Sequence, residues 1–148
     1  MTNTHFLDFA KKTAKEAGDI LIEYYGKIDS IKRKSTDIDL LTIADTESEA
    51  FILEKIKSNY PDHQIIAEES SITRKNSKYR WVIDPLDGTT NFVHNLPIFA
   101  VSIGLQFNEE PILGVVYNPV ADKCFLAEKN GGAFLNDIPI NITSTNTL

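Results

Sequence analysis

The stretch that most constrains the fold runs from Trp81 to Phe92. There the apolar, β-branched segment Trp81-Val82-Ile83 ends abruptly in Asp84-Pro85-Leu86-Asp87-Gly88-Thr89-Thr90-Asn91-Phe92. Such a run reads as a buried strand, and the glycine and hydroxyl residues behind it read as a tight, charged loop. Carboxylates this close repel each other and lose hydration when partly buried, so they call for a cation between them or a raised pKa on one. A divalent metal site is the first reading. A type I turn is the second, because Asp in its first position and Pro in its second suit that turn without any ligand. The residues alone leave both open.

The chain has 148 residues, 42% hydrophobic and 24% charged, enough for one compact domain with its own core. No apolar run approaches the ~20 residues of a bilayer span, so no membrane partner is expected. Met1 to Asp8 lacks the basic and apolar regions of a secretory signal, and Cys124 is the only cysteine. That excludes an intrachain disulfide framework and a thiolate metal cluster, and it points to a reducing cytoplasm. A net charge of -6 offers no footprint for nucleic acid; the short cluster Lys32-Arg33-Lys34 reads as solvated.

From Thr4 to Tyr25, Phe6, Ala10, Ala14, Ala17, Leu21 and Tyr25 recur at helical spacing, and Gly26 is a natural terminator. Lys27 to Lys34 reads as a short strand or connector and Lys34 to Asp39 as a polar loop. A second helix is predicted to start near Asp45, with Thr46 and Glu49 as a capping box, Ala50, Leu53, Ile56 and Tyr60 as its core face, and Pro61 as its stop. On local grounds Asp45 is a cap. Gln64 to Ala67 reads as a buried strand leading into Glu68-Glu69-Ser70, and Ser71 to Tyr79 as a mobile loop. His94 reads as a spectator. From Phe99 onward, short strands separated by turns at Asn108–Pro111, Asn118–Lys123, Gly131-Gly132 and Asn136-Asp137 predict an antiparallel meander. The fold class expected is α+β, with two N-terminal helices packed on one face of an antiparallel sheet.

The run Trp81 to His94, continuing through Leu96-Pro97 to Ala100-Val101-Ser102-Ile103-Gly104, resembles the inositol monophosphatase family. Lys34-Ser35, Asp39-Leu40-Leu41-Thr42 and Asp45 resemble its first loop, and Glu68-Glu69-Ser70 its acidic pair. Gly114-Val115-Val116-Tyr117 and Gly132-Ala133-Phe134 resemble its later strands. The resemblance implies a Mg²⁺-dependent phosphomonoesterase acting on inositol monophosphate or a related sugar phosphate by a two-metal mechanism. It implies that Glu68, Asp84 and the Leu86 carbonyl hold one Mg²⁺, and that Asp84 and Asp87 share a second. By the same resemblance Asp45 and Thr89, with Glu68, would form the catalytic set. Asp87, Gly88, Thr89, Thr90 and Lys34 contact the phosphate ester; for Lys34 a plain surface lysine is the alternative. A homodimer is implied for the full-length form.

The resemblance covers the family's N-terminal part, so residues 1–148 read as a single domain, the N-terminal metal-binding domain. The C-terminal domain, with a Trp-Asp motif whose aspartate completes the second metal site, has no counterpart here. The chain by itself is therefore expected to be weak or inactive and to expose apolar surface on the uncovered side of its sheet. A regulatory or interaction protein that keeps a metal or phosphate site is the alternative function, and a turn-rich structural module is the third.

Overall fold

The computed structural model describes residues 4–27, 37–67 and 76–145, the side chains of 37–40 excepted. Helix α1, Thr4–Tyr24, buries Ala10, Ala14, Ala17 and Leu21 completely and gives way to Gly26 at φ 77°. Helix α2 spans Asp37–Asn59. Its start corrects the sequence expectation: Thr46 and Glu49 lie inside the helix and cap nothing. No glycine or proline stands between Asp37 and Asn59, so nothing forces a start at Asp45. The predicted core face holds at Ile56, with Leu53 and Tyr60 packed against the core, and is corrected at Ala50. Ala44, Ser48, Glu49, Ile52 and Ile56 are buried, whereas Ala50 is exposed and Leu53 only half-buried. The helix ends ahead of Pro61, as expected.

Seven strands follow: β1 (Gln64–Ala67), β2 (Tyr79–Asp87), β3 (Ala100–Phe107), β4 (Glu110–Asn118), β5 (Lys123–Glu128), β6 (Gly132–Leu135) and β7 (Ile138–Ile140). The five-residue helix α3, Thr89–Val93, interrupts them after β2. They form one sheet in chain order, and every pair from β2 to β7 is antiparallel. The two-residue turns Asn108-Glu109 and Asn136-Asp137 adopt positive φ throughout, the backbone twist that suits tight hairpins. One pair departs from the predicted meander. Strand β1 runs parallel to β2, with Ala67 beside Ile83. A four-residue apolar strand carries no residue signal for its partner's direction.

Alternation divides the sheet into two faces. One register row, Ala67, Ile83, Ile103, Val115 and Leu126, is buried beneath α1 and α2. Trp81, fully buried, packs in an aromatic group with Phe6, Phe9, Tyr60 and His63, and its indole N–H donates to His63 Nδ1 at 3.1 Å. The opposite face has no covering layer among the described residues. One of its rows is Val82, Gly104, Gly114, Ala127 and Ala133; the next is Asp84, Ser102, Val116, Phe125 and Leu135. Val82, Val116 and Phe125 are 37%, 42% and 41% exposed, which bears out the apolar surface expected there.

Candidate active site

The acidic stretch is a bulge inside a strand. Asp84 pairs with Ser102 and Asp87 with Ala100, so three steps along β2 oppose two along β3. In a regular strand residues three apart point to opposite faces. The extra residue cancels that offset. Because Ser102 and Ala100 share a face, Asp84 and Asp87 do too, while Pro85 and Leu86 are both buried. Pro85 has no N–H to contribute to a ladder, and a bulge is where an inner strand tolerates that loss. The Leu86 N–H donates to Asp84 Oδ1 at 3.2 Å, a local bond of the kind an aspartate makes to the backbone two residues on. A carboxylate can thus support its own backbone bend and still face outward.

Gly88 follows at φ 88° and ψ 40° and caps α3. A Cβ here would lie 2.9 Å from the Ile98 carbonyl oxygen, so both the torsion and the space require glycine. The bond from Phe92 N–H to Gly88 O, 3.0 Å, closes the first helical turn. The amides preceding Phe92 are those that a helix start leaves without intrahelical acceptors. Asn91 Nδ2 donates to the Ile98 carbonyl at 2.7 Å and ties the start of α3 to the loop that follows.

Helix α2 supports the bulge from below. Ser48 is fully buried and its hydroxyl donates to the Pro85 carbonyl at 3.1 Å. Asp45 lies three residues earlier, on the same side of the helix, with one carboxylate oxygen buried. Helix α2 packs on both β2 and α3.

A cavity of about 330 Å³ opens beside these residues, lined by Asp87, Gly88, Asn91, Phe99, Val116 and Phe125 among others. A larger hollow, about 390 Å³, lies at the other end of β2 around Gln64, Lys78, Arg80 and Glu109. It holds none of the predicted site residues, and its guanidinium is 3.9 Å from the Glu109 carboxylate. Of the two, it is the smaller cavity that the predicted residues Asp87 and Gly88 line.

Of the predicted residues, the structure brings Asp84, Leu86, Asp87, Gly88, Thr89 and Thr90 into one strand-to-helix junction, with Asp45 on the helix beneath. Glu68 and Lys34 lie outside the described residues, as do the connector at 28–34 and most of the loop predicted after Glu68. Among the described residues no three His, Cys, Asp or Glu side chains converge as a metal-holding group. His94 is exposed at the end of α3. Sequence reasoning missed Ser48, whose only signal is its spacing from Asp45, and it missed the bulge, signalled by a proline in a strand pattern. Acceptor oxygens on one side of the junction and backbone donors on the other suit a hard cation and a phosphoryl group respectively.

Helices layered on one face of a seven-stranded sheet, with an acidic bulge opening into a glycine-capped helix, define an α+β fold. The family model for the inositol monophosphatase family matches residues 2–148. An inositol-1-monophosphatase from Synechocystis sp. is 44% identical, over 97% of this chain and 50% of its own length. A Nus factor SuhB from Pasteurella multocida is 41% identical, over 96% and 54% respectively. The solved inositol monophosphatase of Anabaena (Nostoc) sp. superposes with a TM-score of 0.83 at 40% identity, over 98% of this chain and 52% of that one. The chain belongs to the inositol monophosphatase family, a phosphatase family. It spans about half the length of the curated relatives it matches.

Proposed function

We propose that the chain carries the N-terminal half of a Mg²⁺-dependent phosphomonoesterase site for inositol monophosphate or a related sugar phosphate. The observation that carries this reading is the bulge that turns Asp84 and Asp87 onto one face beside the Gly88 helix start. An all-oxygen donor set is what Mg²⁺ prefers, and the shared face of the two aspartates fits it. Glu68, Asp84 and the Leu86 carbonyl would hold one ion, and Asp84 with Asp87 a second. Bound Mg²⁺ supplies an acidified water and relief of charge on the leaving ester oxygen.

The protein's own groups do the rest. The backbone amides of Gly88, Thr89 and Thr90 hold phosphoryl oxygens, and glycine at the cap lets them approach closely. The Thr89 hydroxyl and the Asp45 carboxylate orient the attacking water, and Lys34 offsets anionic charge. Ser48 holds the bulge in register from α2. The proposed activity of these 148 residues alone is weak or absent, because they span about half the length of the relatives they match; the full-length form is proposed as a homodimer.

The likeness to a Nus factor SuhB and the open apolar face favour a second reading, a regulatory interaction protein that keeps the metal or phosphate site. Phosphate release from inositol monophosphate with Mg²⁺, measured for this chain beside a full-length version, separates the two. The enzyme reading expects release by the full-length protein and a loss of about 10²-fold or more on Asp87→Asn. No release from any sugar or inositol phosphate, with Asp87→Asn indistinguishable from the parent, leaves the second reading.

A further inference from the structure

Helix α3 is a single turn, too short to hold its own geometry in water, so its position is set by what it packs on. Its inner side chain, Phe92, is fully buried and meets Phe99 edge-on, ring centroids 4.9 Å apart. The third member of this group comes from far upstream in the chain. Tyr25, just past the end of α1, lies 5.0 Å from the Phe99 ring and 5.8 Å from the Phe92 ring. Its hydroxyl donates to the Asn95 carbonyl at 2.7 Å in a half-buried setting.

Asn95 sits at φ 57°, at the reversal that follows α3. The bonds from Asn95 N–H to Phe92 O and from Leu96 N–H to Asn91 O close that reversal back onto the helix. Asn118 Nδ2, donating to the Pro97 carbonyl at 3.1 Å, fastens its outer limb to β4. Tyr25 therefore fastens the inner limb, and it is anchored by a long helix whose apolar face is fully buried against the sheet.

We infer that Tyr25 is a positioning residue for the phosphate cradle: through Phe92 and Asn95 it fixes the height and tilt of α3, and with them the aim of the Gly88, Thr89 and Thr90 amides. This rests on the reading of those amides as a phosphate site. Removal of the hydroxyl alone loosens the reversal and leaves the aromatic packing in place, so the defect is local.

The test compares the parent chain with Tyr25→Phe by amide hydrogen exchange, thermal unfolding and a titration with inorganic phosphate and Mg²⁺ followed at the Gly88 and Thr89 amide resonances. The expected result is exchange about tenfold faster at His94 to Leu96 with unchanged protection in β3 and β4, and phosphate binding several-fold weaker, with the unfolding midpoint within a few degrees of the parent. Tyr25→Leu, which removes the ring as well, is expected to exceed Tyr25→Phe in both local effects. Unchanged exchange in Tyr25→Phe overturns the positioning role, and so does faster exchange with undiminished phosphate binding. A parent chain that accelerates as predicted on substitution yet shows no phosphate shifts at Gly88 and Thr89 overturns the cradle itself, and the inference with it.

Discussion

The two faces of the sheet are built from the same strands and have opposite characters. Beneath α1 and α2 the alternating positions carry Trp81, Ile83, Ile103, Leu105 and Val115, all at 3% exposure or less. On the other side the corresponding positions carry Val82, Gly104, Gly114, Ser102 and Phe125, interrupted by the carboxylate of Asp84. The helix-covered face holds the fold together, and the uncovered face bears the acidic bulge. In β2 the alternation is broken at the bulge, and it is broken in favour of the uncovered face. Stability and chemistry in this half of the fold thus separate by the direction in which a side chain leaves the backbone.

The largest expected effect tests the covered face. Trp81→Ala removes a fully buried ring and its hydrogen bond to His63, and should cost about 3–5 kcal/mol in urea unfolding. Phe125→Ala, a ring lost from the uncovered face, should cost under about 1 kcal/mol in the same assay. Equal costs would break the comparison. Phe125→Lys sharpens it from the other side: it should lower concentration-dependent association in sedimentation while leaving the unfolding midpoint nearly unchanged.

The smallest effect is a pH dependence within the covered face. Burial holds the His63 imidazole below its ordinary pKa of 6.5. The unfolded chain therefore takes up a proton, as pH falls below 6.5, that the folded chain refuses. This contribution to stability is complete above 6.5 and is lost as pH drops toward the folded value. His63→Gln should flatten the fall in urea midpoint between pH 7.5 and 5.5; an unaltered fall would show that other groups carry it.

Much of this architecture is legible in the residues, and its gaps have physical causes. The inward face of α1 reads clearly because Ala10, Ala14, Ala17 and Leu21 are apolar at helical spacing. In α2 the inward face contains Ser48 and Glu49, so apolar periodicity finds Leu53, Ile56 and Tyr60 but misses the first half of the face, where Asp45-Thr46 imitates a helix start. The antiparallel hairpins announce themselves through Asn108-Glu109 and Asn136-Asp137. The parallel pairing of β1 with β2 joins segments whose partnership no local residue encodes. At the site, the acids, the glycine and the hydroxyls are legible as chemistry, but the bulge that lets Asp84 and Asp87 share a face depends on register with β3. Tyr25 is invisible for the same reason: read along the chain it is the last apolar residue of a helix, and only the fold carries it to Asn95.

The placement of α1 bears on how the chain acquires its structure during synthesis. Strands β2 to β7 each pair with their immediate neighbour, so the hairpins can close one after another as they emerge. Helix α1 precedes all of them in the chain, yet it lies on β3, β4 and β5, and Lys11 reaches Asp137, 126 residues downstream. It can find α2 early. Its sheet-facing side waits until most of the chain has been made. A helix thus precedes in the chain the strands that satisfy it, and its sheet-facing side stays open until they are made.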